Sequence, residues 1–338
     1  AGRGTAAAEA GPAGGTADAC AGAGHQASEA RCPARAVVLR QPPWPVRGGN
    51  LNHSGLALHA GAADLTRPSW IFEEPGRLLK GQAAQDKAFQ SSPVIDGGLN
   101  AYISSSTGWV YSLDRSGRLR WSFKTTSLFP GGVALHEHAL YTMSLDGTAF
   151  KLDKDTGAEL WRKKVAWAAP AESHALVATA DTLISACNLY PCADPADWPG
   201  RPHAFGGGDH VCALSTADGH LKWNYSIADR SSTVSYNQAH AVVDDRVFFG
   251  DKTGGVYCVS LKSGAEVWYV PGPALSSWTT GALTVGPNGL LYAGSNPSQP
   301  SSFEPGVLRA MELQGGAVVW SRQLHEPTNA PPAVGPVL

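Results

Sequence analysis

The sequence predicts an all-β fold, and three observations carry the prediction. Five times a glycine is followed four residues later by a tryptophan: Gly117 and Trp121, Gly157 and Trp161, Gly219 and Trp223, Gly264 and Trp268, Gly316 and Trp320. Each pair closes a similar phrase: VYSLDRSGRLRW, AFKLDKDTGAELW, VCALSTADGHLKW, VYCVSLKSGAEVW and LRAMELQGGAVVW. The tryptophans fall 40, 62, 45 and 52 residues apart, the period of a four-stranded propeller blade. Composition agrees, because 39 glycines and 24 prolines supply turns for many short strands. The predicted architecture is a β-propeller of four-stranded antiparallel blades, with five complete blades and a partial first and last blade.

Along the chain, residues 1–43 differ from the rest. They hold fourteen alanines and seven glycines, without hydrophobic periodicity until Ala36-Val37-Val38-Leu39. Such a tail buries too little apolar surface to offset its ordering entropy. It is expected to lie extended along a neighbouring subunit, or to be held by a Cys20–Cys32 bridge.

The propeller is expected over residues 44–338. Trp70-Ile71-Phe72 reads as one short outer strand. Ser91 to Lys124 then gives a full blade, with strands at Pro93-Val94-Ile95, Ala101-Tyr102-Ile103, Trp109 to Leu113 and Leu119 to Phe123. Asp96-Gly97-Gly98, Thr107-Gly108 and Arg115-Ser116-Gly117 fall between them as hairpin turns. Blade two is read over Gly132 to Lys164, blade three over Ser173 to Ile227, blade four over Ser235 to Val270 and blade five over Thr279 to Leu324. Pro331 to Leu338 reads as the inner strand of a further blade, which the Trp70 strand would complete from outside, removing the free edge. The chain is accordingly expected to be a fragment of a ring of about six to eight blades.

The repeated residues have a packing rationale. A glycine in the turn before the outer strand adopts positive φ at low cost. The tryptophan fills a gap between neighbouring blades that widens with radius, and its indole N–H can meet a backbone carbonyl. Leu113, Leu152, Leu214, Leu261 and Leu313 are assigned the matching third-strand position. These side chains build the body and form no cofactor site.

Charge excludes some functions. With 26 basic and 28 acidic residues the chain has no electrostatic footprint for nucleic acid. No apolar stretch approaches the roughly 18 residues of a spanning helix, and no basic run suits an anionic membrane. No signal-like segment follows Ala1, so any targeting peptide is expected to lie outside this chain or to have been removed. Of six cysteines, Cys187 and Cys192 are expected to close a short loop, and Cys20 and Cys32 a flexible one. Neither pair has zinc-site spacing. An oxidising compartment follows, extracytoplasmic or lumenal. The alternative is six reduced thiols, with Cys212 and Cys258 filling the core.

Taken together, the phrase Leu152-Asp153-Lys154-Asp155-Thr156-Gly157-Ala158-Glu159-Leu160-Trp161 and the opening Trp44-Pro45-Val46-Arg47-Gly48-Gly49-Asn50-Leu51-Asn52-His53-Ser54-Gly55 resemble the quinoprotein-type β-propeller family, whose blades carry a tryptophan-docking phrase. The resemblance spans residues 44–338 and implies the fold. Its enzymatic members are quinone-dependent alcohol dehydrogenases that clamp pyrroloquinoline quinone (PQQ) with a disulfide between adjacent cysteines and hold calcium. This chain has no Cys-Cys dipeptide and no C-x-x-C-H haem motif. Its non-enzymatic members present loops and edges to partners, and this chain is closer to them. No cofactor is therefore expected, PQQ and calcium remaining the alternative.

The one large departure from the repeat is an insertion in blade three between Ser185 and Val211. It carries Cys187, Cys192, Trp198, Arg201, His203, Phe205, Asp209 and His210. Trp198, Arg201, His203 and Phe205 are the candidate partner contacts, since tryptophan and arginine dominate binding hot spots. A plain surface decoration is the competing reading. His203 and His210 are weaker candidates for metal. His136-Glu137-His138 reads as a polar hairpin tip, and Asp153/Asp155 and Asp244/Asp245 as turn carboxylates. No nucleophile motif is present. The expected function is a non-catalytic binding scaffold, an accessory subunit of a larger assembly at or near a membrane. It would meet other subunits through the tail and the 187–210 insertion. The alternative is a quinone- or metal-dependent oxidoreductase with key residues outside this chain.

Overall fold

A computed structural model describes residues 46, 49–51, 66–75, 89, 91–127, 132–169, 176–189, 208–226, 236, 240–274, 277–279, 281–297 and 304–334. All of them belong to one compact unit, Arg35–Leu338. Among them, twenty strands form five four-stranded antiparallel sheets, each ordered as in the sequence. Blade one holds β1 (Val94–Ile95), β2 (Ala101–Ser104), β3 (Trp109–Leu113) and β4 (Leu119–Lys124). Blade two holds β5 (Ala134–His136), β6 (Ala139–Met143), β7 (Thr148–Asp153) and β8 (Glu159–Lys164). Blade three holds β9 (Val177–Ala178), β10 (Thr182–Cys187), β11 (His210–Ser215) and β12 (Leu221–Tyr225). Blade four holds β13 (Ala241–Val243), β14 (Arg246–Gly250), β15 (Val256–Ser260) and β16 (Glu266–Val270). Blade five holds β17 (Thr284–Val285), β18 (Leu290–Ser295), β19 (Val307–Glu312) and β20 (Val318–Gln323).

The glycines and tryptophans form the seams. Gly117, Gly157, Gly219, Gly264 and Gly316 have φ between 71° and 79°. Each lies flat against an indole of the preceding element. A Cβ on Gly157 would sit 2.7 Å from the Trp121 ring, one on Gly264 2.7 Å from Trp223, and one on Gly316 2.8 Å from Trp268. Four of the docked indoles donate their N–H to the carbonyl three residues before that glycine. Trp121 bonds Lys154 O at 2.9 Å, Trp161 Thr216 O at 3.1 Å, Trp223 Leu261 O at 2.8 Å and Trp268 Leu313 O at 3.0 Å. A β-bulge between third and outer strands recurs in each blade, at Ser112/Leu113, Lys151/Leu152, Ala213/Leu214, Cys258/Val259 and Ala310/Met311. It bends the outer strand so that its indole turns toward the next sheet. In blade two the turn is pinned by Asp153, whose Oδ1 accepts from the backbone N–H of Asp155 and Thr156 and from Thr156 Oγ1. That is the physical content of the D-x-x-T-G phrase.

Apolar clusters fill the wedges. Val110, Trp121, Leu140, Phe150 and Leu152 join blades one and two, and Ile184, Trp223, Tyr225, Phe249 and Tyr257 join blades three and four. The leucine correspondence needs a correction in two blades. Leu113, Leu152 and Leu214 are buried, but Val259 and Met311 are their counterparts in blades four and five. Leu261 and Leu313 lie two residues later, in the turn, half-buried, and serve through their carbonyls. Hydrophobicity alone misassigned them because two turns also carry a leucine.

Two terminal expectations also change. Trp70, Ile71 and Phe72 form no strand, although the Trp70 ring lies against Gly117 as the other docked indoles do. Glu74 follows it and accepts from Ser105 Oγ, Thr107 Oγ1 and Tyr111 Oη. Residues 331–334 form no strand either, and the Pro332 carbonyl accepts from Thr284 Oγ1 beside β17. Residues 335–338 and the tail at 1–43 lie outside the described residues. From the opening phrase, Val46 is fully buried with Ala134 and Leu183, while the Leu51 carbonyl accepts from Val242 N.

Charged groups add to the seams. Arg309 of β19, buried, donates to Pro271 O at 2.7 Å and Gly254 O at 2.6 Å in blade four. Burial would raise the Asp96 carboxyl, but hydrogen bonds from Asn100, Tyr102 and Gly98 outweigh it and leave the group below its ordinary 3.8. Asp146, against the same burial effect, is lowered by Ser144, Thr126 and Thr148. Carboxylates lowered in the folded state contribute stability above their unfolded pKa and lose it as pH falls. The denaturant midpoint is expected to be flat at neutral pH and to drop steeply below about pH 4. A midpoint unchanged between neutral pH and pH 3 would show that these bonds carry no stability.

Candidate protein-docking site

Antiparallel order gives each blade two distinct ends. The turns joining first to second and third to fourth strands share one end. The second-to-third connection and the links between blades share the other. The blade-three insertion leaves from the latter end, between Cys187 and His210.

Its root is held from several directions. The β10–β11 register pairs Cys187 with His210 and Ser185 with Cys212. Cys187 and Cys212 are thus diagonal neighbours on one face, with Cα atoms 6.1 Å apart, and they form a disulfide. Both are fully buried, beside Ala166. The expected Cys187–Cys192 bridge is therefore wrong: sequence proximity suggests it, but strand register makes Cys212 the diagonal neighbour of Cys187 on the same face. Cys192, Cys20 and Cys32 lie outside the described residues. Among the described residues Cys258 is a buried free thiol, pushed up by burial, with Arg246 Nη1 3.8 Å from its sulfur.

Beyond the bridge, Asp209 Oδ1 accepts from Leu189 N at 2.9 Å and lies 2.7 Å from His210 Nδ1. Asn188 Oδ1 accepts from Asp209 N at 3.0 Å. Gly208 and Tyr236 exchange both backbone hydrogen bonds, tying the root to the link before blade four. On the other side Asn188 pairs with Ala168, and Trp167 N donates to Asn188 O at 2.9 Å. The Trp167 side chain stays 60% exposed. A fixed root carrying an open indole, on a rigid backbone, is the arrangement of a binding anchor.

At the opposite end a cleft of about 440 Å³ opens between blades two and three. The tip His136-Glu137-His138 lines it, with Glu137 at φ 52°, together with Lys151, Asp153 and Asp181. Lys151 Nζ donates to Thr216 O at 3.0 Å and lies 5.7 Å from the Tyr141 ring centroid. Burial pushes the Tyr141 hydroxyl up to about 12. The tip is the hairpin turn the sequence predicts, and Asp244 and Asp245 likewise occupy a turn. Asp181 is lowered by hydrogen bonds from Lys222 and Thr182, so it is already engaged.

Of the sequence candidates, Trp198, Arg201, His203 and Phe205 lie outside the described residues. Trp167 and Tyr236 were missed, since they sit in blade-to-blade links where no periodicity marks them. The sequence contains no pair of adjacent cysteines, and among the described residues no group of three His, Cys, Asp or Glu could hold a metal ion. No helix among the described residues is long and apolar enough to cross a membrane.

Fold and seams together define a tryptophan-docking β-propeller. Residues 106–328 match the family described as outer membrane protein assembly factor BamB, and the chain belongs to that family. A quinoprotein alcohol dehydrogenase, PedH of Pseudomonas putida, is 32% identical over 110 residues, which are 30% of this chain. The chain spans 17% of the length of that relative. Among solved structures, BamB from Moraxella catarrhalis is 18% identical with a TM-score of 0.46, over 68% of this chain and 62% of its own. The computationally designed Ika8 protein is 16% identical with a TM-score of 0.52, over 71% of this chain and 64% of that one. A chain of the Mitotic Checkpoint Complex is 13% identical with a TM-score of 0.51, over 69% and 65%. At such identities the last two likenesses concern the fold alone.

Proposed function

We propose that this chain is a non-catalytic protein-binding scaffold, an accessory subunit of a larger complex associated with a membrane, working in an extracytoplasmic or lumenal compartment. One observation carries the reading. The exposed Trp167 indole stands at the root of a long insertion held by a buried disulfide and paired backbone on both sides. A rigid aromatic anchor loses little entropy on binding, which is what recurrent protein docking requires. Membership of a family described as an outer membrane assembly factor supports a role in the assembly of other proteins. The disulfide supports the compartment. The partner would contact Trp167 and the insertion, including Trp198, Arg201, His203 and Phe205. The Ala/Gly tail at residues 1–43 would lie along the same or a second subunit.

The immobilised chain is expected to retain a defined protein from a detergent extract of its own source membranes. Trp167→Ala should weaken that retention about tenfold, with unfolding unchanged. Deletion of residues 190–207 should abolish it. Equal retention by the unaltered chain and both variants would remove the basis for the scaffold reading.

A further inference from the structure

Blade three carries a second feature on its outermost strand. Asn224-Tyr225-Ser226 is an N-x-S sequence, the acceptor motif for asparagine-linked oligosaccharide. From the geometry we infer that Asn224 is an N-glycosylation site, an inference that rests on the compartment reading above.

Three observations converge on it. Asn224 is exposed, between buried Trp223 and buried Tyr225, so strand alternation turns its amide out of the blade. β12 is an outer strand, pairing only with β11, so nothing stacks beyond it within its sheet. The Cys187–Cys212 disulfide lies in the same sheet, with Cys212 directly opposite Asn224, and marks the oxidising route along which such transfer takes place. The chain contains a useful contrast. Asn296-Pro297-Ser298 has proline at the middle position, which disqualifies it, and Asn296 is buried, its amide bonded to the Thr328 carbonyl at 3.1 Å. Asn52-His53-Ser54 has the motif but lies outside the described residues.

The transfer balances with one co-reactant, a polyprenyl diphosphate-linked oligosaccharide. A bond forms between Asn224 Nδ2 and the anomeric carbon of the first sugar. The bond from that carbon to the diphosphate oxygen breaks, the polyprenyl diphosphate leaves with the electron pair, and the amide nitrogen gives up one proton. In the folded chain the Ser226 hydroxyl donates to the Asp209 carbonyl at 2.8 Å, so transfer precedes closure of the blade. The glycan then covers the outer edge and the exposed Leu221 beside it. It leaves the inward face and the seam to Leu261 untouched.

The test is to pass the full chain through the secretory pathway of a eukaryotic cell and map the product by mass spectrometry, with and without peptide N-glycosidase. Asn224 is expected to bear a glycan and to become aspartate on enzymatic release. Asn224→Gln and Ser226→Ala should lose that glycan completely, and Ser226→Thr should keep it. Asn52→Gln, as a control, should leave Asn224 occupied. Asn224 is exposed and off the seam, so thermal unfolding of Asn224→Gln should match that of the enzymatically deglycosylated unaltered chain. A product with the Cys187–Cys212 bridge formed but Asn224 unmodified overturns the site and leaves the compartment reading standing. A product with both cysteines free to alkylate and no glycan overturns both.

Discussion

Trp223→Ala is expected to lower the unfolding free energy by about 4 kcal/mol, the cost of emptying a buried indole site. Trp223 is 7% exposed, fills the wedge between blades three and four, and bonds Leu261 O at 2.8 Å. Its removal vacates the wedge and leaves a carbonyl without its donor. Gly264→Ala attacks the same contact from the facing side. At φ 71° the new methyl costs about 1–2 kcal/mol in backbone strain and meets the indole at 2.7 Å. Because both changes act on one contact, the double variant should lose less than the sum of the two. Trp320, 40% exposed, faces no such glycine among the described residues, and Trp320→Ala should cost less than about 1 kcal/mol. Urea unfolding of the four variants measures this. Equal losses at Trp223 and Trp320 would mean that the seam geometry carries no energy.

Opening the Cys187–Cys212 bridge is expected to cost about 3.5 kcal/mol, the loop-closure term for a separation of 25 residues. Cys187→Ser with Cys212→Ser should show it as a lowered denaturant midpoint, and reductant should bring the unaltered chain to the same value. The pair is fully buried, so reduction should be slow until blade three opens. Cys258→Ala, at a buried thiol outside any bridge, should not alter the response to reductant. An unaltered chain whose stability is indifferent to reductant would show that the bridge contributes nothing in solution.

The five blades were legible because each repeats the same local solution. A turn glycine and an indole four residues apart are short-range signals, and all twenty strands fall within the blade boundaries read from them. What escaped notice depends on register or on distant pairing. Cys192 is five residues from Cys187, yet the hydrogen-bond ladder of β10 and β11 makes Cys212 the diagonal neighbour of Cys187. Leu261 and Leu313 looked like third-strand core residues until the bulges shifted the count to Val259 and Met311. Trp70 reads as a strand residue because the apolar Ile71 and Phe72 follow it. Its indole does dock, but the backbone around it pairs with no strand. The docking site was half-readable. The insertion stood out by length, whereas Trp167 and Tyr236 meet its root only through backbone pairs formed in three dimensions.

In the four seams made by Trp121, Trp161, Trp223 and Trp268 the indole finds its carbonyl three positions ahead of the glycine, within a single tight turn. These four indole bonds thus all sit at one end of the sheets, and the opposite end has no part in making them. Twenty-two residues can be spliced between β10 and β11 while Trp161 and Trp223 keep the same bonds as their siblings. Such a body works as a chassis: new binding loops can be lengthened, exchanged or discarded on one side without renegotiating how the machine is bolted together on the other.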